Sequence, residues 1–447
     1  MNGLPTRRAF LQAAAGGVPL LAQQPDKRPQ PADGIAVLNP TGRVPVSLII
    51  DDSTCLVNLA HFCIPQFAEV FPSRYQQDWK KLPREIPDAF VRKFAVWCRE
   101  HGVKGKYSVI PYPACVGWLD RDLPGWSKTA LDESLRLVRK ELAPDWDFHP
   151  EVVSHTWVID TRTGRPYSER SERFLENWGW SAGKSADELA DYMSYALRIL
   201  RNVGVRCEGI TTPGGFGTRA LPELAQATLQ SCRDVFGVEI PHYFRHLFTD
   251  QRSVAPRVEY ASGLAGSDPR CVVSIIGCTG DWFGGWDGLT QGSVDQFITE
   301  DLKSGRLPEV IQRGEPAVLV CHWPGLYFNG QEVGFRIFQE VVRRLRAAFD
   351  NLIWMKLSEI ARYWAARELT RIERRGNRVS FQAPFAAPRF TIEASSRSVP
   401  RFFAAERPVP LNQSPENARL DSGAWRRRGE NVTVCFDLPK GASRLEL

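Results

Sequence analysis

The chemistry-bearing residues of this chain stand at the ends of short apolar runs. The run 46–51 delivers Asp51 and then Asp52, and the run 151–155 delivers His155 with Trp157 two residues on. Residues 207–211 lead into Thr211-Thr212-Pro213, 272–278 into Asp281 and Trp282, and 317–321 into His322 and Trp323. Two adjacent carboxylates after a buried strand cost desolvation energy unless a metal, a cation or hydrogen-bond donors compensate. Successive strand residues point in different directions, so one carboxylate can ligate a metal while its neighbour handles a proton. His155 and His322 are of the type that binds metals or shuttles protons. Trp157, Trp282 and Trp323 offer ring faces to a flat ligand. The structural alternatives are an Asp capping the next turn, a satisfied core histidine and an aromatic loop packed over the core.

Such residues meet only if the chain folds its strand ends to one rim. Strand-like runs fall at 46–51, 105–110, 151–155, 207–211, 235–240, 272–278, 317–321 and 352–355. Between them lie helical patterns at 87–101, 130–142, 186–203, 219–236, 293–303, 334–348 and 358–367. In 186–203 the apolar residues Leu189, Met193, Ala196, Leu197 and Leu200 recur at three- and four-residue spacing, one buried stripe of a helix. Alternation of strand and helix predicts a parallel sheet. Near-continuous apolar strands need both faces covered, so the expected α/β form is an irregular (β/α) barrel of seven or eight parallel strands over 45–368. An open doubly wound sheet is the alternative, but no glycine-rich nucleotide fingerprint follows the first strand. From 371 to 447 the texture changes to short alternating runs at 379–381, 389–394, 399–403 and 431–436, which predict a small β-sandwich-like domain.

The ends of the chain carry further signals. Arg7 and Arg8, followed by Phe10-Leu11 and a mild apolar run to Leu21, have the pattern of a twin-arginine export signal over 1–22, with cleavage near Ala22 and a Pro-rich linker over 23–44. Export through the twin-arginine machinery places the mature protein in the periplasm or outside the cell. No later run reaches about 18 consecutive apolar residues, so no integral membrane segment is expected once the signal is removed. The net charge of +6 is concentrated toward the two ends, and the long middle is near neutral, which disfavours a nucleic-acid partner. Ten Cys include no CxxC pair, which disfavours a zinc ribbon or a thioredoxin-type site.

In order and spacing, the residues at 45–368 resemble the polysaccharide deacetylase family of metal-dependent carbohydrate esterases. The family's first motif ends a strand with Asp-Asp, matched by Asp51 and Asp52. Its second is His-Ser/Thr-x-x-His, matched at His155 and Thr156 but holding Ile159 at the second His. Its third is Arg-x-Pro, which here reads Thr211-Thr212-Pro213, and its last places a His after an apolar strand, matched by His322. The resemblance implies Asp51 as base, His322 as acid, and Asp52 with His155 holding a divalent metal, Zn²⁺ or similar. His149, Asp160 and His61 are candidates for the ligand missing at Ile159. Without the family's Arg, Asp51 lacks its orienting partner.

The resulting expectation is an exported, metal-dependent hydrolase that removes acyl groups from a carbohydrate substrate, with Trp157, Thr212, Asp281, Trp282 and Trp323 lining the substrate side. Two alternatives stand beside it. One is a glycoside-processing barrel enzyme that pairs Asp51 or Asp52 with Asp281 and needs no metal. The other is a non-catalytic glycan-binding protein derived from a deacetylase.

Overall fold

The computed structural model describes residues 26–30, 32–52, 55–176, 179–416 and 418–447. The twin-arginine segment lies outside the described residues. Among the described residues, twelve strands precede the C-terminal region: β1 (Ile35–Val37), β2 (Val44–Asp51), β3 (Gly105–Ser108), β4 (Trp146–His149), β5 (Ile159–Asp160), β6 (Arg165–Pro166), β7 (Gly209–Thr211), β8 (His242–Leu247), β9 (Arg257–Ser262), β10 (Arg270–Gly277), β11 (Ala317–His322) and β12 (Leu352–Trp354).

The fold is mixed α/β. One parallel sheet runs β11-β2-β3-β4, with β12 paired to the first half of β2. A second runs β7-β8-β10-β9, in which only β9 is antiparallel. All eight residues of β2 are buried, as its near-unbroken apolar sequence requires. Its alternate residues serve two cores. Val44, Val46, Leu48 and Ile50 pack under the surrounding helices, whereas Ile49 joins Val273, Ile275, Val318 and Val320 in the other cluster.

Among the described residues the strands expected to form an irregular barrel do not join into one closed ladder. The two sheets meet at one margin through a single parallel bridge, Glu151 to Thr211, and at the other the Cys278 N–H donates to the Val318 carbonyl at 2.8 Å. Between β4 and β7 the chain is spent on turns and the small β5–β6 hairpin rather than on a strand that would extend a ladder. The predicted strand at 151–155 is a set of turns: β4 ends at His149, Pro150 has no N–H to offer a ladder, and Val152 turns to φ +49°. The predicted strand at 235–240 is the end of a helix, Leu221–Phe236, capped by Gly237 at φ +64°, and the true strand follows at His242. The helix predicted at 293–303 shrinks to Val294–Phe297, and a helix at Leu59–Val70 was not anticipated. By contrast, Ala186–Asn202 forms close to its predicted bounds, started by a Ser185–Glu188 capping box.

The space between the sheets is not wholly apolar. His149 of β4 and His242 of β8 are fully buried, with Nε2 atoms 2.9 Å apart, and His149 Nδ1 lies 3.2 Å from Thr211 Oγ1. Burial pushes His242 down to about 3, helped by the charges of Lys106 and Lys356.

The C-terminal region is β-rich, with two five-stranded sheets. Phe381, Phe390, Phe402 and Phe436 fill their shared core, which continues into the helix Leu357–Leu369 and the inner faces of β2, β8, β10 and β11. β1, from the segment read as a linker, pairs with the C-terminal strand Ala387–Ser395. Tyr363 ties these parts together: its hydroxyl donates to the Leu38 carbonyl at 2.6 Å and accepts the Thr391 N–H at 3.2 Å.

Removing the hydroxyl with Tyr363→Phe leaves that buried N–H unpaired, and urea unfolding is expected to show a loss of about 1–3 kcal/mol. The buried His242 gives a pH signature. Its folded pKa lies below the unfolded value of about 6.5, so its contribution to stability is complete above that pH and is lost as pH falls toward 3. The stability advantage of wild type over His242→Gln is therefore expected to shrink by up to about 1.4 kcal/mol per pH unit as the pH falls below 6. Parallel pH curves for the two proteins would contradict this account of the interior.

Candidate active site

The site begins with a register. β11 pairs with β2 so that His322 lies opposite Asp51, and β3 flanks β2 on its other side with Lys106 opposite Ile49. Three neighbouring parallel strands thus carry an imidazole, a carboxylate and an ammonium group to one place. Asp52, one residue past the ladder, turns off it at φ +52°, a conformation rare outside Gly, Asn and Asp.

Lys106 is fully buried, and its Nζ bonds to Asp51 Oδ1 and to Ser108 Oγ, the latter at 2.6 Å. Ser108 Oγ in turn donates to Asp51 Oδ1 at 3.2 Å. Burial pushes the Asp51 carboxyl above its ordinary range, and the Lys106 cation opposes that rise. Lys106 thus holds Asp51 from the neighbouring strand. The sequence reading missed it, since a single Lys in a short strand carries no local signal.

Glu151 stands just beyond β4 and is almost wholly buried. Its Oε1 accepts the Asp52 N–H at 3.1 Å, and its Oε2 lies 2.6 Å from His155 Nδ1. The same His155 nitrogen is 3.3 Å from Asp52 Oδ1, while His155 Nε2 faces Glu176 at 3.7 Å. One ligand atom each from Asp52, Glu151 and His155 lie within 4.8 Å of one another. Burial alone would lower His155, but Asp52, Glu151 and Glu176 outweigh it and raise the imidazole to about 10. Burial would raise Glu151, yet the hydrogen bond and charge of His155 hold it at about 2. Asp52 rises to about 6, chiefly by burial, with His155 and His322 opposing. Asp52 Oδ1 accepts no hydrogen bond although it is buried.

Those donors can hold a divalent cation: two carboxylates and a neutral imidazole suit one, and the unfilled Asp52 oxygen is aimed at the shared space. The ligands proposed from sequence to replace the second His do not join them. His149 pairs with His242, His61 Nδ1 lies 2.8 Å from the Leu82 carbonyl, and Asp160 holds Arg162 in a turn. Ile159 is 1% exposed in the core, its N–H donating to the Tyr192 hydroxyl at 3.1 Å. Glu151 was overlooked because the strand was placed over 151–155, which put Glu151 at its start. The signal was Pro150, which ends β4 and leaves Glu151 on the loop side.

On the other side of Asp52, His322 Nε2 lies 4.0 Å from Asp52 Oδ2 and its Nδ1 lies 3.1 Å from Asp281 Oδ2. Burial pulls His322 down, but Asp281, Asp52 and Asp51 raise it to about 10, so the ring holds a proton at neutral pH. Asp51, Asp52, His155 and His322 therefore do face one cleft, of about 260 Å³.

The aromatic wall differs from the one expected. Phe67, Tyr75 and Trp286 line the cleft, their rings 5.1–6.2 Å apart. Thr212 lines it too, its hydroxyl donating to the Phe244 carbonyl at 3.3 Å. Trp157 is buried under the Arg170 guanidinium, 4.5 Å from its ring, and does not line the cleft. Trp323 is a core residue, turned inward by the short helix Trp323–Tyr327 to pack on Phe94 and Tyr107. Trp282 packs edge-on against Phe297 and also stays out of the lining. Asp281 serves the site through His322.

No protein-family model matches this chain, and no curated protein matches it. Among solved structures it is similar to a Mycobacterium smegmatis protein assigned as a polysaccharide deacetylase, at TM-score 0.41 and 16% identity, covering 78% of this chain and 97% of the other. It is also similar to a 4-alpha-glucanotransferase from Thermococcus litoralis (TM-score 0.36, 12% identity, 71% and 40% covered). A third is a GH30 endoxylanase from Clostridium papyrosolvens C71 (TM-score 0.30, 9% identity, 92% and 97% covered). Likenesses this distant carry no argument about activity, and the chemistry of the cleft has to be judged on its own residues.

Proposed function

We propose that this chain is an exported, metal-dependent hydrolase that removes acyl groups from a carbohydrate. The observation that carries the reading is the convergence of Asp52, Glu151 and His155 to within 4.8 Å, with Asp51 and His322 beside them in register. A divalent cation held by those three residues would polarise the acyl carbonyl and acidify a bound water.

The protein's own groups supply the rest. Lys106 and Ser108 both engage Asp51 Oδ1, which leaves Oδ2 to accept the proton of the attacking water. His322, charged by Asp281 and Asp52, is the donor that protonates the departing alcohol or amine. Phe67, Tyr75 and Trp286 present ring faces against which a sugar can stack. Twin-arginine export would bring the folded enzyme to such a substrate outside the cytoplasm.

Acetate release from O- and N-acetylated oligosaccharides by metal-loaded protein tests the reading. Wild type is expected to turn over and to lose activity on treatment with a chelator. Asp51→Asn and His322→Gln are each expected to lower kcat on the order of 10²–10⁴-fold with metal content unchanged. Glycoside cleavage that survives the chelator would replace this reading with a metal-independent glycosidase. Glycan binding without turnover in any metal-loaded state would replace it with a binding protein.

A further inference from the structure

We propose that Glu151 biases the centre toward hard, oxygen-preferring divalent ions of the Mn²⁺ type and away from Zn²⁺, relative to a centre with a second imidazole in its place. The inference rests on the metal-site reading above and adds the residue that sets the choice of ion.

The position where the resembled motif carries a second histidine holds Ile159, and it cannot rejoin the site. Its side chain is packed in the core and its N–H is committed to Tyr192. The third donor comes instead from Glu151, on the loop that follows β4. Glu151 Oε1 accepts the Asp52 N–H at 3.1 Å and Oε2 lies 2.6 Å from His155 Nδ1, so Oε2 is the oxygen that an ion replacing the imidazole proton would meet. The Asp52 oxygen nearest His155, Oδ1, is buried and accepts no hydrogen bond, so it too is available. Oxygen donors thus outnumber nitrogen two to one, and two carboxylates match the charge of a divalent ion. Carboxylate oxygen suits Mn²⁺ and its hard relatives, whereas imidazole favours Zn²⁺ and the later transition metals. Among the described residues no sulfur donor completes the group. Cys63 is fully buried in the helix Leu59–Val70.

Isothermal titration of the metal-stripped full-length chain with MnCl₂ and with ZnCl₂ gives the ratio of the two dissociation constants. Circular dichroism melts would establish that each variant is folded. Glu151→His is expected to shift the ratio toward Zn²⁺ on the order of tenfold or more, with one ion still bound per chain. Glu151→Gln keeps the shape and removes the charge, and covers the case in which the histidine variant does not fold. It is expected to weaken Mn²⁺ on the order of tenfold and Zn²⁺ by less. If folded Glu151→His, or folded Glu151→Gln, leaves the ratio as in wild type, Glu151 does not select the ion, and the metal site itself stands on Asp52 and His155. If wild type binds neither ion, the metal-site reading fails and this inference with it.

Discussion

Buried charge has to be balanced where it lies, and the floor of this cleft is organised around that constraint. Asp51, Asp52, Glu151, His155 and Lys106 are all shielded from water at the ends of adjacent strands. An isolated charge in such a place costs far more than a domain can spare. The arrangement meets the constraint pairwise, Lys106 against Asp51 and His155 against Glu151 and Asp52. The pairing leaves one carboxylate in excess: three carboxylates face two cations, with His322 and its own partner Asp281 at the rim. A divalent cation among Asp52, Glu151 and His155 would displace the imidazole proton and bring the count closer to neutrality. The same imbalance that makes the metal-free cluster unusual is what suits it to chemistry.

The constraint explains why the supporting fold is built as it is. The Asp51–His322 pair, set by strand register, is held by backbone hydrogen bonds along two packed strands rather than by a loop. The barrel need not close for this. The strands that matter, β2, β3, β4 and β11, are contiguous in one sheet. The seams fall elsewhere, at the single Glu151–Thr211 bridge and beside Cys278. One seam lies beside the loop that follows Glu151, where Val152 (φ +49°) and His155 (φ +67°) adopt backbone that a regular strand would have denied them.

Much of this was legible in the sequence, because it was written in apolar runs. The stretch 46–51 reads as a strand covered on both faces, and the polar residues that end it, and those that follow 317–321, read as a site. The sequence also announces the helix at 186–203 through its apolar stripe, and the structure adds the Ser185–Glu188 capping box that starts it. Where polar residues face inward, the reading lost its signal. β8 begins His242-Tyr243-Phe244-Arg245, and its first side chain is buried against His149 rather than among apolar neighbours, so the strand was placed too early. Lys106 looks like an ordinary surface residue until β3 is packed beside β2. Trp323 follows an apolar strand and Trp286 sits in a glycine-rich loop, and the tertiary fold decides that the first fills the core while the second walls the cleft. Glu151 was lost to a boundary error of a few residues around Pro150, which is where single-sequence reading is weakest.

The central claim is that Asp52, Glu151 and His155 form one metal centre beside the Asp51–His322 pair. A crystal structure of Mn²⁺-loaded protein, with anomalous diffraction recorded at the manganese absorption edge, tests it most directly. The account predicts one anomalous peak bounded by a carboxylate oxygen of Asp52, a carboxylate oxygen of Glu151 and Nδ1 of His155. A peak at any other group of residues, or a cleft with no peak in protein shown to contain the ion, would contradict it.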